Sequence, residues 1–434
     1  MNLRPTIYTC VLLLAVATSA VAADARSTAP ADTEGKPAAA TADHWRQWGG
    51  PEGDFQLAER PLARTWGEEG PPALWSRPLG KGYSAIAADG GVLYTMYRVE
   101  DDEIAIALDA TTGKTLWEYK YSAPTIEKHV VQFGKGPNAS PLVLPDRIIT
   151  MGYTGILHAL DRKDGKSLWS HDLVKEFGAE VLVFGSSASP ILHDDQVIVL
   201  VGGEQAGVMA FAPTSGEVTW QSKPTGVSYS APMVINVDGQ EQIIYYSGDA
   251  INALDAASGT WLWDYPVKNQ YANNCSNPIW GDDNLLWVAT QLDGGTRVLH
   301  LTRDDGKTKV EEVWFESAVN LHWWNTVRIG QKVYGSIGGQ GSVLAAVDVK
   351  TGKIDWRERG FDKVKPIQVG ELTVLLDADG DLSLAQLTPE GVKVLAEARI
   401  FTSDESWTIP TLVGTRLYAR DQEQIVALEL GPGK

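Results

Sequence analysis

The chain has 434 residues, with 55 acidic against 37 basic side chains and a formal net charge of −18. A surface of that sign disfavours a nucleic-acid duplex, which needs a basic face, and a peripheral hold on anionic lipid. Beyond the N-terminus no stretch stays apolar for the ~20 residues of a membrane-spanning helix, so no transmembrane segment is expected.

Residues 1–23 read as a secretory signal. Arg4 is the basic end, Val11 to Ala17 the apolar core, and Ala20-Val21-Ala22 the small-residue cleavage site. Cys10 precedes the apolar core, the wrong place for a lipid-anchored cleavage site. Residues 24–44, rich in Ala, Thr, Pro and Asp, read as a disordered linker. The expected mature chain is therefore exported, periplasmic or secreted. Cleavage would leave Cys275 alone, with no intrachain disulfide. Burial is the ordinary fate of such a thiol; a reactive or intermolecular thiol is the alternative.

From residue 45 a phrase recurs: Ala-Leu-Asp, three loose positions, Gly, three more, then Trp. It runs from Ala107 to Trp117, Ala159 to Trp169, Ala253 to Trp263 and, as Ala-Val-Asp, Ala346 to Trp356. Ala210 to Trp220 is a degraded copy with Ala212 in place of the Asp, and Leu299 to Trp314 a looser one. Each copy reads as a β-hairpin whose Gly supplies the positive φ of a tight turn and whose Asp bonds the turn backbone. Two more short strands precede each hairpin, as in Ser84 to Ala88, Asp89-Gly90-Gly91, then Val92 to Tyr97. Four antiparallel strands make one propeller blade. Such a unit must stack with its copies, so the repeat fixes the architecture. Trp75, Trp117, Trp169, Trp220, Trp263, Trp314 and Trp356 mark outer strands; an eighth, without Trp, falls near Val394-Leu395. Each Trp is expected to pack between neighbouring blades. The tail strand Ile425 to Leu430 lacks a return strand, and the segment around Trp75 lacks a partner before it. Their pairing would close the ring and remove an exposed edge. The expected fold is all-β: one eight-bladed β-propeller of four-stranded antiparallel blades over residues 45–434, the N-terminal strand closing on the C-terminal ones.

This repeated phrase resembles the pyrroloquinoline-quinone (PQQ) repeat of quinoprotein dehydrogenases, of the B subunit of the barrel-assembly machinery and of many exported propellers. The resemblance covers about residues 45–430. The opening Trp45-Arg46-Gln47-Trp48-Gly49-Gly50-Pro51-Glu52-Gly53-Asp54 and the later Trp407-Thr408-Ile409-Pro410 are similar to the exported propellers. The dehydrogenases carry adjacent cysteines over the cofactor and a metal held by Glu, Asn and Asp. No adjacent cysteine pair, haem-binding C-x-x-C-H or matching metal set occurs here. No catalytic residue is carried over from the family, and no metal site is expected.

In a propeller, the loop from one outer strand to the next inner strand opens on one mouth of the central channel. Reading those positions places Lys81, Tyr83, Ser84, His129, Asn138, Glu180, Ser187, Tyr229, Ser230, Asn273, Asn274 and Asn277 there. The later blades add His322, Trp323, Trp324, Asn325, Lys363, Lys365, Glu405, Ser406 and Trp407. The longest such loops, roughly 120–137 and 171–186, are expected to form rims or lids. The ligand-binding candidates are Tyr83, Asn273, Asn274, His322, Trp323, Trp324, Lys365 and Trp407. His322 and Glu405 are the candidates for a catalytic base. In Leu321-His322-Trp323-Trp324-Asn325, adjacent Trp residues point to opposite faces. Either one stacks on a planar or sugar-like ligand beside His322, or one packs between blades and the other plugs the channel. The amides Asn273, Asn274 and Asn277 either orient a ligand or cap turns. Lys81, Lys363 and Lys365 either neutralise an anion such as a quinone tricarboxylate or are solvated. The pairs Asp101-Asp102, Asp194-Asp195 and Asp282-Asp283 read as hairpin tips rather than cation ligands.

Two functions are then open. The first is a non-enzymatic binding or scaffold module, monomeric, holding a protein segment or a small polar or sugar ligand at the mouth, with a role in envelope assembly. The second, implied by the resemblance, is a PQQ- and calcium-dependent dehydrogenase of an alcohol or sugar.

Overall fold

The computed structural model describes residues 44–267, 271, 273–291, 294–321, 324–338, 341–403 and 405–433. The expected leader and most of the linker, residues 1–43, lie outside them. Strands form eight sheets, each a blade. Blade I consists of Ala87–Asp89, Val92–Val99, Asp102–Asp109 and Thr115–Ser122, paired antiparallel in chain order from channel to rim. Blades II to VI repeat this order and end on the outer strands Ser167–Asp172, Val218–Gln221, Trp261–Pro266, Lys307–Glu316 and Ile354–Glu358. Blade VII runs from Lys365–Val369 to the Trp-less outer strand Gly391–Arg399. Blade VIII takes Thr411–Val413, Arg416–Arg420 and Gln424–Glu429 from the C-terminus and Ala73–Pro78 from the N-terminus.

The repeated phrase has a packing reason at each position. In the ladder, Ala107 faces Trp117, and Ala159, Ala210, Ala253, Ala346 and Ala427 face Trp169, Trp220, Trp263, Trp356 and Trp75. A small side chain opposite makes room for the indole. The register slips at each of these pairs, a β-bulge, and the bulge gives the strand two residues where its partner has one. The preceding leucines Leu74, Leu116 and Leu168 point out and are exposed. The indole turns onto the next blade. A Cβ added to Gly113, Gly165, Gly216, Gly259 or Gly352 would sit 2.3–2.7 Å from Trp75, Trp117, Trp169, Trp220 or Trp314 of the blade before. The indole N–H groups of Trp75, Trp117, Trp169 and Trp314 donate to the carbonyls of Ala110, Arg162, Pro213 and Val349 in those turns, at 2.7–3.0 Å. The turn is held open for the ring by the motif Asp: Asp109 Oδ1 accepts from the amides of Thr111 and Thr112, and Asp348 Oδ1 from those of Lys350 and Thr351. Where the phrase is loosest, at blade V, Trp263 instead donates to Gln242 of its own blade, and Gln242 passes the contact to Thr308 of blade V. In blade VII, without a Trp, Gly70 of the closing segment packs onto Ala398 of the outer strand instead.

The ring closes as expected: Trp75 pairs with Ala427 and Ser76 with Val426. Arg420, fully buried, rivets the seam by donating to the carbonyls of Met96 and Gly80 in blade I's neighbourhood. The opening segment brings a feature that the repeat pattern does not contain. Residues 45–57 cross the channel floor. Trp45 makes a two-way backbone bridge to Ala88 of blade I, Arg46 accepts from Val143 of blade II, and Gln56 and Leu57 run parallel to Gln368 and Val369 of blade VII as a fifth strand. Trp45 and Phe55 are buried in the core they complete.

Candidate functional site at the channel mouth

With its floor plugged, the channel is a blind cavity open at the mouth. Its height is set by two long loops. The first, 123–137, is tied at both ends by Arg98, whose guanidinium donates to Ala123 O and Lys135 O and pairs at 2.8 Å with Glu103. Glu103 is wholly buried and also accepts from the Tyr121 hydroxyl and the Tyr153 amide. The second loop opens with a short helix, Leu173–Phe177, which the strand-based reading did not foresee. Its signals are present: Asp172 accepts from the Lys175 amide as the N-cap, and Gly178 ends it in the left-handed region at φ 62°. Val130 N donates to Val183 O, joining the two loops.

The cavity measures about 220 Å³ and is lined by Trp48, Tyr83, Phe133, Tyr153, Phe184, Tyr229 and Trp407, with Asn138, Ser187, Ser189, Ser230, Asn277 and Thr408 between them. Tyr83 and Trp407 stack at 5.5 Å, and Phe133, Phe184 and Tyr229 continue the aromatic wall at centroid distances of 5.9–6.2 Å. Among the described residues, no Asp, Glu, Lys, Arg or His lines this cavity. The titrating groups that do are held neutral: burial, then the charge of Glu405, raises the Tyr83 phenol, and burial pushes the Tyr153 phenol and the Cys275 thiol up to about 12. Trp48 rises from the plug as the floor, its indole N–H 3.0 Å from Asn277 Oδ1. On the rim, Ile126, Val130, Val131 and Phe133 are exposed together.

Behind Trp48 lies a side chamber of about 50 Å³, walled by Trp48, Trp324, Asn325, Lys365, Trp407 and Ile409. Lys365, 3% exposed, donates from Nζ to Ser406 O. Burial brings its ammonium down to about 7 against the pull of Asp377, whose own carboxyl burial raises to about 6.

The sequence candidates divide accordingly. Tyr83 and Trp407 wall the large cavity, with Asn138, Ser187, Tyr229, Ser230 and Asn277 from the wider reading. Trp324 and Lys365 wall the side chamber; Lys365 is not solvated. Trp324 is pinned within its blade, its indole N–H donating to Ser336 O. Asn274 is fully buried and clips neighbouring loops, donating to Ser247 O and accepting from the amides of Tyr229 and Ser230. Asn273 is half-buried outside the lining of either cavity. Glu405 acts on the mouth through its charge on Tyr83. His322 and Trp323 lie outside the described residues. Trp48, from the opening segment, lines both the large cavity and the side chamber. Sequence reasoning missed Trp48, Phe133, Tyr153 and Phe184; the family-like opening phrase and the aromatic content of the two long loops were the available signals. At hairpin tips, Asp102 and Asp283 pair with Lys120 and Arg328. His193, Asp194 and Glu241 bring ligand-type atoms within 4.8 Å of one another, on the exposed surface.

The sequence matches, over residues 42–312 and 204–408, the family described as outer membrane protein assembly factor BamB. The chain belongs to that family. A BamB of Moranella endobia is 25% identical over 275 residues, 60% of this chain and 65% of that protein. The crystal structure of BamB from Moraxella catarrhalis superposes with a TM-score of 0.58 at 18% identity, covering 84% of this chain and 98% of that one. A europium-containing methanol dehydrogenase superposes at 0.67 with 13% identity, covering 89% and 98%, a likeness of fold alone. No helix among the described residues is long and apolar enough to cross a membrane.

The dehydrogenase likeness implies a quinone with three carboxylates and a metal cation, calcium or a lanthanide. The residues present do not fit that group. Among the described residues, the mouth lining offers no carboxylate to a metal, and Lys365 in the adjoining chamber can answer at most one of three carboxylates.

Proposed function

We propose that this chain is an exported, non-enzymatic propeller that holds a protein segment at its channel mouth during assembly of the cell envelope. The observation that carries this reading is the mouth itself: a blind, uncharged aromatic cavity rimmed by exposed Ile126, Val130, Val131 and Phe133. Such a lining buries apolar side chains and, among the described residues, holds no carboxylate, lysine, arginine or histidine. Membership of the BamB family supports the envelope setting, as does the reading of residues 1–23 as a cleaved leader and 24–44 as a linker; in this proposal the mature propeller is periplasmic and monomeric.

Site-specific photo-crosslinking in cells tests this. A crosslinker at Val131 on the rim captures one discrete protein partner, identified by mass spectrometry; one at Leu116, even more exposed on an outer blade strand, does not. Equal capture at both positions, or turnover of alcohols by the purified chain with PQQ and calcium, ends the proposal.

A further inference from the structure

We infer that the ligand taken at the mouth carries a carboxylate group, which Lys365 meets in the side chamber. The inference rests on the mouth being the binding site and names the chemistry recognised there.

Lys365 is a buried amine with spare hydrogen-bonding capacity, and an anion beside it favours its charged form. An ammonium has three N–H donors, and the structure gives this one a single hydrogen-bond partner, the main-chain carbonyl of Ser406. Among the described residues no carboxylate oxygen lies within 4.0 Å of Nζ. Asp377, Asp362 and Asp379 act on it electrostatically from further off, and Lys363 opposes them. Lys363 itself is paired with Asp362. Buried charges are ordinarily paired, because an unpaired one costs several kcal/mol. The missing partner has a place to sit. The chamber of about 50 Å³ adjoins Lys365 and exceeds the ~30 Å³ of one water, the scale of a carboxylate. Trp48, Trp407 and Ile409 line both this chamber and the large cavity, so the two adjoin there. One ligand can therefore set an apolar body among the aromatic rings and turn an acid group toward Lys365. Asn325 adds a second constraint. It is 6% exposed, donates from Nδ2 to Pro366 O, and leaves its Oδ1 without a partner on the same chamber wall. That oxygen accepts from an N–H or O–H carried beside the carboxylate.

The probe is phenylacetate, with phenylacetamide as its uncharged counterpart, titrated into the purified full chain and read by tryptophan fluorescence and calorimetry. Phenylacetate binds, and the amide binds at least about tenfold more weakly, the equivalent of ~1.4 kcal/mol. In Lys365→Met the two bind alike. That variant keeps or raises the melting temperature, because an apolar chain of similar length replaces a buried charge; if it fails to fold, the acid-amide comparison in the native chain decides alone. Equal affinity for acid and amide, or an acid preference that survives Lys365→Met, overturns the inference while leaving the mouth as a site. Binding of neither probe overturns it as well; the mouth reading then stands or falls on the crosslinks at Val131.

Discussion

A glycine and an indole carry much of this fold. Gly165 sits at φ +74°, and a Cβ there would fall 2.4 Å from the Trp117 ring. Gly165→Ala therefore combines backbone strain with a clash, and is expected to cost about 2–4 kcal/mol in urea unfolding. Gly239 has a similar φ of +88° and open space around it, so Gly239→Ala carries only the backbone share, about 1 kcal/mol. Equal losses would show that the indole contact contributes nothing. A second residue sets an acid limit. His158 is 4% exposed, its ring 4.4 Å from that of Tyr121, and burial holds its imidazole down to about 4, against ~6.5 in the unfolded chain. A histidine depressed in this way binds its proton first in the unfolded state. Its contribution is intact above pH ~6.5 and is lost as pH falls toward 4, by up to about 3 kcal/mol. The difference in unfolding free energy between the native chain and His158→Gln should shift in favour of the variant across that window. A pH-independent difference would refute the assignment.

At the scale of elements, the mouth is as firm as the network beneath it. Arg98 ties residues 123 and 135 together and is neutralised by wholly buried Glu103. Arg98→Met strands that carboxylate in the interior, with an expected loss of about 3–5 kcal/mol. It also frees the loop, so limited proteolysis should cut first between residues 123 and 137; unchanged cleavage there would show that the loop is held by other means. How legible the elements were follows from the same physics. The hairpins could be read because Asp, Gly and Trp each do one job at a fixed spacing. The helix at Leu173–Phe177 was hidden because five residues give no apolar period, leaving only the caps Asp172 and Gly178. Mouth positions such as Tyr83 and Trp407 could be placed by blade counting. Phe133 and Phe184 come from long loops whose path no repeat dictates.

For the whole molecule, the decisive contacts lie between the ends of the chain. The pairing of Trp75 with Ala427 was legible because two half-blades were left over, each lacking what the other had. The plug was not legible: residues 45–57 belong to no repeat, and their partners Ala88, Val143 and Val369 lie in three different blades. Trp45 illustrates the weight of this segment. It is 1% exposed although it lies outside every blade, and Trp45→Ala is expected to cost about 3–5 kcal/mol, as for a core aromatic. A loss below ~1 kcal/mol in chemical denaturation would show that the plug merely rests on the ring.

The seam also dictates a timetable. The strand Ala73–Pro78 is made long before its hydrogen-bonding partner Gln424–Glu429. Until then the chain carries an unmatched edge, open to pairing with any extended neighbour. A polypeptide stopped short of residue 424 can never satisfy that edge, so premature termination leaves it open to proteases and chaperones.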